Sequence, residues 1–120
     1  MALYDFGNGL VEAHQHANGG GWVADTATVA DTVYVGSNAK VFDRAVICGN
    51  AKVCGDAMVF DFAKISDHAR VFGDARVYGC AKVSGSAEVS GFAWVCGGAK
   101  VSGRARVFGD QKIAGGELVY

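Results

Sequence analysis

Val41 to Lys64 reads VFDRAV ICGNAK VCGDAM VFDFAK. Each phrase of six opens on Val or Ile and carries Ala four places later, while the other positions vary freely. The frame holds well beyond this stretch. From Val23 to Val119 every sixth residue is Val or Ile, 17 in succession. Ala follows four places after each anchor from Ala27 to Ala105, with Val33 the one substitution, and Gln111 and Glu117 occupy the last two slots. Two places after the anchor comes Gly, Asp or, once, Ser37. A repeat that holds size constant and leaves chemistry free is fixing geometry.

A period of six cannot keep one side of a 3.6-residue helix apolar. A hairpin meander needs turn signals every 8–12 residues, with alternation between them. Short strands separated by two-residue corners do fit. In A-x-V-x the Ala and the Val point to the same side of the strand, which becomes the inside. The Gly or Asp that follows tolerates the backbone angles of a corner. Three such sides close a triangular coil of eighteen residues, and successive coils stack in parallel about 4.8 Å apart. The repeat from Val23 onward makes five coils and a fraction, a rod of roughly 25 Å at that spacing.

At this point the sequence resembles the hexapeptide-repeat family, whose fold is the left-handed parallel β-helix. Its V-x-G-x-A-x form, as in VFGDARVYGCAKVSGSAEVSG, is similar to repeat proteins of phage and prophage genomes. Those proteins often begin with a Gly-Gly-aromatic-Val phrase, here Gly20-Gly21-Trp22-Val23. The left hand of the coil is what the resemblance implies; spacing does not supply it. The expected fold is therefore all-β, a single-stranded left-handed parallel β-helix with eighteen residues per coil. Residues 1–22 form a cap segment and residues 23–120 the β-helix. Tyr4, Phe6, Leu10 and Val11 are the residues expected to cover the first coil, with Gly7-Asn8-Gly9 as a tight turn. No cap follows the last coil, and Gln111 and Glu117 sit where Ala belongs. That coil should be distorted, or its end covered by another subunit.

Composition narrows the class. A chain of 120 residues with net charge −1 is one modest domain with no bias toward nucleic acid. No apolar run is long enough to cross a bilayer as a helix. Pro is absent, which keeps every backbone N–H available for a ladder. Cys48, Cys54, Cys80 and Cys96 form no metal-ligand spacing, which fits a reduced setting, the cytoplasm or a phage particle assembled there. Residues 1–62 hold seven acids against three bases, and the remainder eight bases against five acids.

The period of eighteen lets outward residues be read as columns. One face carries Phe42, Met58, Phe60, Tyr78 and Trp94, an apolar stripe on a rod without loops to cover it. That marks a subunit interface, and the resemblance implies a trimer. The plainer reading is aromatic stacking along the ladder for its own sake. A second face carries Lys64, Lys82 and Lys100, whose mutual repulsion is about 0.8 kcal/mol per neighbouring pair in water. They form an anion track, or else a solvated face that deters edge pairing. At the corners Asp25, Asp43 and Asp61 stack, as do Asp56 and Asp74. Such columns suit calcium, though Asp is also an ordinary turn residue.

Little chemistry is left over. Acyltransferases of the resembled family use a histidine base, a projecting loop and acetyl-CoA bound between subunits. His68 is the one histidine in the repeats, at a corner, and no hexad is interrupted to make a loop. His14 and His16 would point the same way from an extended segment, but zinc needs three or four ligands. A Thr ladder for ice binding reduces to Thr26, Thr28 and Thr32. The reading is a rigid, non-catalytic solenoid that self-associates and presents binding surfaces, including a site for a small anion between subunits. An acyltransferase using His68 and acetyl-CoA is the alternative.

Overall fold

The computed structural model describes residues 2–7 and 9–119, with side chains described through residue 116. Nineteen strands and no helix occur among these residues. They form three sheets, one for each side of a triangular solenoid of about five coils.

The first face begins with β1 (Ala2–Asp5), β2 (Leu10–Gln15) and β3 (Trp22–Ala24). It continues through Lys40–Val41, Met58–Val59, Arg76–Val77, Trp94–Val95 and Lys112–Ile113. The second face starts at β4 (Thr28–Val29) and the third at β5 (Tyr34–Val35), each followed by strands at the same period. From β3 onward every pairing is parallel, and in the repeat it joins residues eighteen apart, as in Lys64 with Lys82 and Val71 with Val89.

The inside is what the anchors dictate. Val, Ile and Ala at the repeat positions are shut off from solvent from Val33 to Val107, all at 0 % exposure. Val33 occupies its Ala slot without disturbing the stack and is itself fully buried. The axis is thus a column of like upon like, filled at every level.

Corners are made by a left-handed residue two places after the anchor. Gly fills most of these slots from 49 to 109, with φ between 61° and 69° at Gly49, Gly55, Gly73, Gly79, Gly85, Gly91, Gly97, Gly103 and Gly109. Asp43, Asp61 and Asp67 adopt the same conformation at φ 58°, 59° and 60°. An L-residue there costs roughly 1–2 kcal/mol. Each Asp offsets that by accepting an N–H from the next corner along the rod. Asp61 N–H donates to Asp43 Oδ2 (3.2 Å), Gly79 N–H to Asp61 Oδ2 (3.1 Å) and Gly85 N–H to Asp67 Oδ2 (3.0 Å).

The N-terminal segment does not lie across the open coil. β1 and β2 form an antiparallel hairpin whose second strand pairs antiparallel with β3, so the segment extends the first face upward. The Asp5 carboxylate accepts the N–H of Gly7 (2.7 Å) and Gly9 (3.1 Å) at the turn; Asn8 lies outside the described residues. Tyr4 and Phe6 do not cover the coil as expected but stack on Trp22 and Phe42 in the outward column of the first face, and Leu10 and Val11 are 67 % and 43 % exposed. The reason is register. Leu10, on the same side of the sheet as Val23, faces the space above the coil, where no second or third sheet meets it, while its neighbour Val11 faces outward.

The other two sides of the first coil are met by one side chain, His16, and by the backbone of Asn18 and Gly21. Within the rod, an outward residue's N–H donates to a carbonyl seventeen residues later, as Tyr34 does to Ala51. The first coil has no preceding coil to supply such donors. His16 Nε2–H donates to Val33 C=O at 2.7 Å, which places that ring proton on Nε2, because a carbonyl only accepts. Gly21 N–H donates to Val35 C=O (2.9 Å), and Val35 N–H donates to Asn18 C=O (3.0 Å). The hydroxyls of Thr26 and Thr32 donate to the corner carbonyls of Asp43 and Gly49. One coil later, backbone N–H groups of Arg44 and Asn50 perform that task.

At the far end the frame slips. Lys100 pairs with Glu117 and Val101 with Leu118, seventeen residues apart where the rest of the rod uses eighteen. Leu118, not Val119, therefore stands opposite Val101, the last core valine of the second face. Gln111 is exposed and folds back so that its Oε1 accepts Phe108 N–H at 3.0 Å. The expected environment of the Glu117 side chain lies outside the described residues. The molecule measures 42 × 26 × 20 Å, longer than the repeat alone predicts because the hairpin adds two strands.

Candidate functional site

Charge is sorted by geometry. Nine of the eleven bases occupy the strand position just before an anchor, whereas eight of the twelve acids lie at corners. Flat faces are consequently basic and the edges between them acidic.

On the first face the expected apolar column exists as a continuous run of rings. Trp22 stacks on Tyr4 (4.7 Å between centroids), Tyr4 meets Phe6 (4.6 Å), and Phe6 stacks on Phe42 (4.8 Å). Phe42, Phe60 and Tyr78 continue at 4.8 and 5.0 Å, nearly parallel, and Trp94 closes the run edge-on at 6.2 Å. Phe6 fills the level at which the column itself holds only Ala24. Trp94 leans in where the column holds Cys96. Stacking buries most of each face: Phe42 is only 6 % exposed, and Phe60, Tyr78 and Met58 are half-buried. A hydrogen bond with the Cys96 side chain, aided by burial, raises the Tyr78 pKa above its ordinary value.

Three of the five exposed rings among the described residues border this column; Tyr34 and Phe108 lie on the third face. Trp94 is 37 % exposed, and Phe62 and Phe92, at the corners on either side of the face, are each 64 % exposed. A groove of about 740 Å³ runs beside Trp94. One bank is made of the corner residues Asp56, Asp74, Phe92 and Asp110, the other of Met58, Arg76, Trp94 and Lys112. Arg76 and Lys112 lie 5.6 and 5.3 Å from the centre of the Trp94 ring, within reach of its π face. Sequence reasoning found Asp56 and Asp74 but missed Phe62 and Phe92. The signal was there: both occupy the corner position whose columns were read for acids alone.

The second face places Lys64, Lys82 and Lys100 side by side on adjacent strands, as expected. The third face pairs Arg106 with Glu88 at 3.6 Å. His68 is exposed at its corner, apart from the groove on the first face. His14 and His16 do not share a site, which corrects the expectation of parallel side chains. His14 lies in β2 and its Nδ1 meets Asp25 Oδ1 at 2.7 Å near solvent. His16, just beyond the strand, is 6 % exposed and held by the Val33 carbonyl. Among the described residues no three of His, Cys, Asp and Glu are placed to hold a metal ion. Carboxylates of Asp43 and Asp61 are engaged by backbone N–H groups, and that of Asp25 by His14, so this corner column is explained without a cation.

Residues 63–79 match the family model of the YdcK β-solenoid repeat. That is about one coil's worth of chain, and it supports a β-solenoid repeat. No curated protein and no solved structure matches the chain.

Proposed function

We propose that the protein is a non-catalytic β-solenoid that self-associates through its first face and acts by presenting its remaining surfaces. The observation that carries this reading is the grouping of three exposed rings, Phe62, Phe92 and Trp94, around the half-buried Met58, Phe60 and Tyr78, whereas Tyr34 and Phe108 stand apart from each other on the third face. An apolar patch of this kind on a rod without covering loops favours burial against a second copy. A closed trimer, as the hexapeptide resemblance implies, would bring three such faces to one axis. Its role is that of a rigid structural or ligand-presenting part, in the cytoplasm or in a phage particle. The four free cysteines accord with a reducing setting.

Two substitutions test it, Phe62→Asp and Trp94→Asp. Both side chains are exposed in the subunit, so charge there should leave the fold intact while opposing association. Phe42 and Phe60 are unsuitable, because the ring ladder needs them. Light scattering should show an oligomer for the wild type and the mass of one chain for the double variant. A monomeric wild type, or an unchanged mass in the variant, would overturn the reading.

A further inference from the structure

The second face carries a charge pattern that the other two avoid. Its strand position before the anchor reads Lys64, Lys82, Lys100 on three parallel strands in register. On the third face the same position reads Lys52, Arg70, Glu88, Arg106, with Glu88 interposed. On the first face, Lys40, Arg76 and Lys112 are separated by Met58 and Trp94. Three cations in direct succession, with neither a carboxylate nor a neutral side chain between them, occur on the second face alone among the described residues.

The surroundings do not neutralise the row. All three lysines are exposed, and among the described residues no carboxylate forms an ion pair with Lys64 or Lys82. Lys100 stands in register opposite Glu117 at the end of the sheet. Two residues after each lysine comes a half-buried serine, Ser66, Ser84 or Ser102, on the same outward side of the strand. Asp67, at the adjoining corner, has its Oδ2 occupied by Gly85 N–H at 3.0 Å. The strip is thus a line of ammonium groups, each beside a hydroxyl, repeating at about 4.8 Å.

We infer that this face binds an extended acidic polysaccharide laid along the solenoid axis. Its carboxylates meet Lys64, Lys82 and Lys100, and its hydroxyls meet the serine column. The choice over nucleic acid follows from the residue types. Single strands are held by bases stacked on a succession of aromatic rings beside the cations; the outward strand positions of this face from Val46 to Ser102 hold none, and the corner before it offers Phe62 beside Lys64 but Cys80 and Gly98 beside Lys82 and Lys100. A duplex requires broad basic ground, whereas the chain carries a net charge of −1 and acids line most of its edges. The inference stands apart from self-association, because the first face and the second are different sides of the rod.

The test is titration calorimetry of the full chain with polygalacturonate, neutral dextran and oligodeoxythymidylate. Polygalacturonate should bind, and its affinity should fall about tenfold between roughly 50 and 200 mM salt, as expected for a few ionic contacts. Dextran should not bind. Lys82→Glu should lower affinity at least tenfold and Lys82→Gln by less. Arg70→Glu, the same charge change on the third face, should leave it unaltered. Light-scattering mass should be the same for every variant, which separates this result from the test of self-association. Absence of polygalacturonate binding, a wild-type affinity in Lys82→Glu, or equally tight binding of oligodeoxythymidylate would each overturn the inference.

Discussion

The first coil shows how far a single side chain can replace backbone. His16 is seventeen residues before Val33, the separation at which a coil above would present a backbone N–H to that carbonyl. The backbone N–H of His16 is turned instead to Gly21 C=O at 2.7 Å, so the imidazole supplies the missing donor. Removing it leaves a buried acceptor unmatched, which costs about 1–3 kcal/mol. His16→Ala should therefore lower the unfolding free energy in urea by that amount. His16→Gln, which retains an N–H donor, should recover part of it. Equal stability of His16→Ala and wild type would mean that the ring is packing and nothing more. Neither this role nor that of Thr26 and Thr32 was legible in the sequence, where all three residues read as candidate ligands or ladders. Their meaning depends on how the first coil differs from the rest, with Val33 C=O open at the rod end and hydroxyls in place of backbone N–H groups at its corners, and a repeat pattern describes the middle of a rod.

At the level of elements, the strands of the repeat were legible and the hairpin was not. Six-residue periodicity specifies inside and outside at every position, so the three faces and their columns followed directly. The initial segment has no periodicity, and its direction was settled by rings. β1 pairs only with β2, and three residue pairs join β2 to β3. What secures the outer strand is the run Trp22–Tyr4–Phe6–Phe42, with Phe6 bridging hairpin and solenoid. Stacked rings are worth about 0.5–1.5 kcal/mol each beyond the area they bury. Phe6→Ala should consequently speed amide exchange in Ala2–Asp5 and Leu10–Glu12 by about tenfold, with exchange in the coils unchanged. Uniform acceleration along the whole chain would show instead that hairpin and rod open together.

For the whole molecule, the chain has sealed one end with strands and side chains and lets its frame slip at the other. Val119 was expected to complete the run of anchors, yet Leu118 takes the place opposite Val101. A period read in the sequence is binding only where a filled core enforces it, and by the last coil Ile113 is already partly exposed. The same reasoning explains why the candidate surfaces were only half visible beforehand. Columns of strand residues follow from the period alone. How far a ring is hidden by its neighbour, as Phe42 is and Phe62 is not, depends on stacking distances that no period contains.

All of these statements need residues n and n+18 to be neighbours from Val35 to Val107. Nuclear Overhauser contacts in the deuterated protein test that directly. The account predicts recurrent amide and methyl contacts at a separation of eighteen, such as Val53 with Val71 and Val71 with Val89. Contacts dominated by separations of three and four, or by the changing separations of antiparallel hairpins, would contradict it.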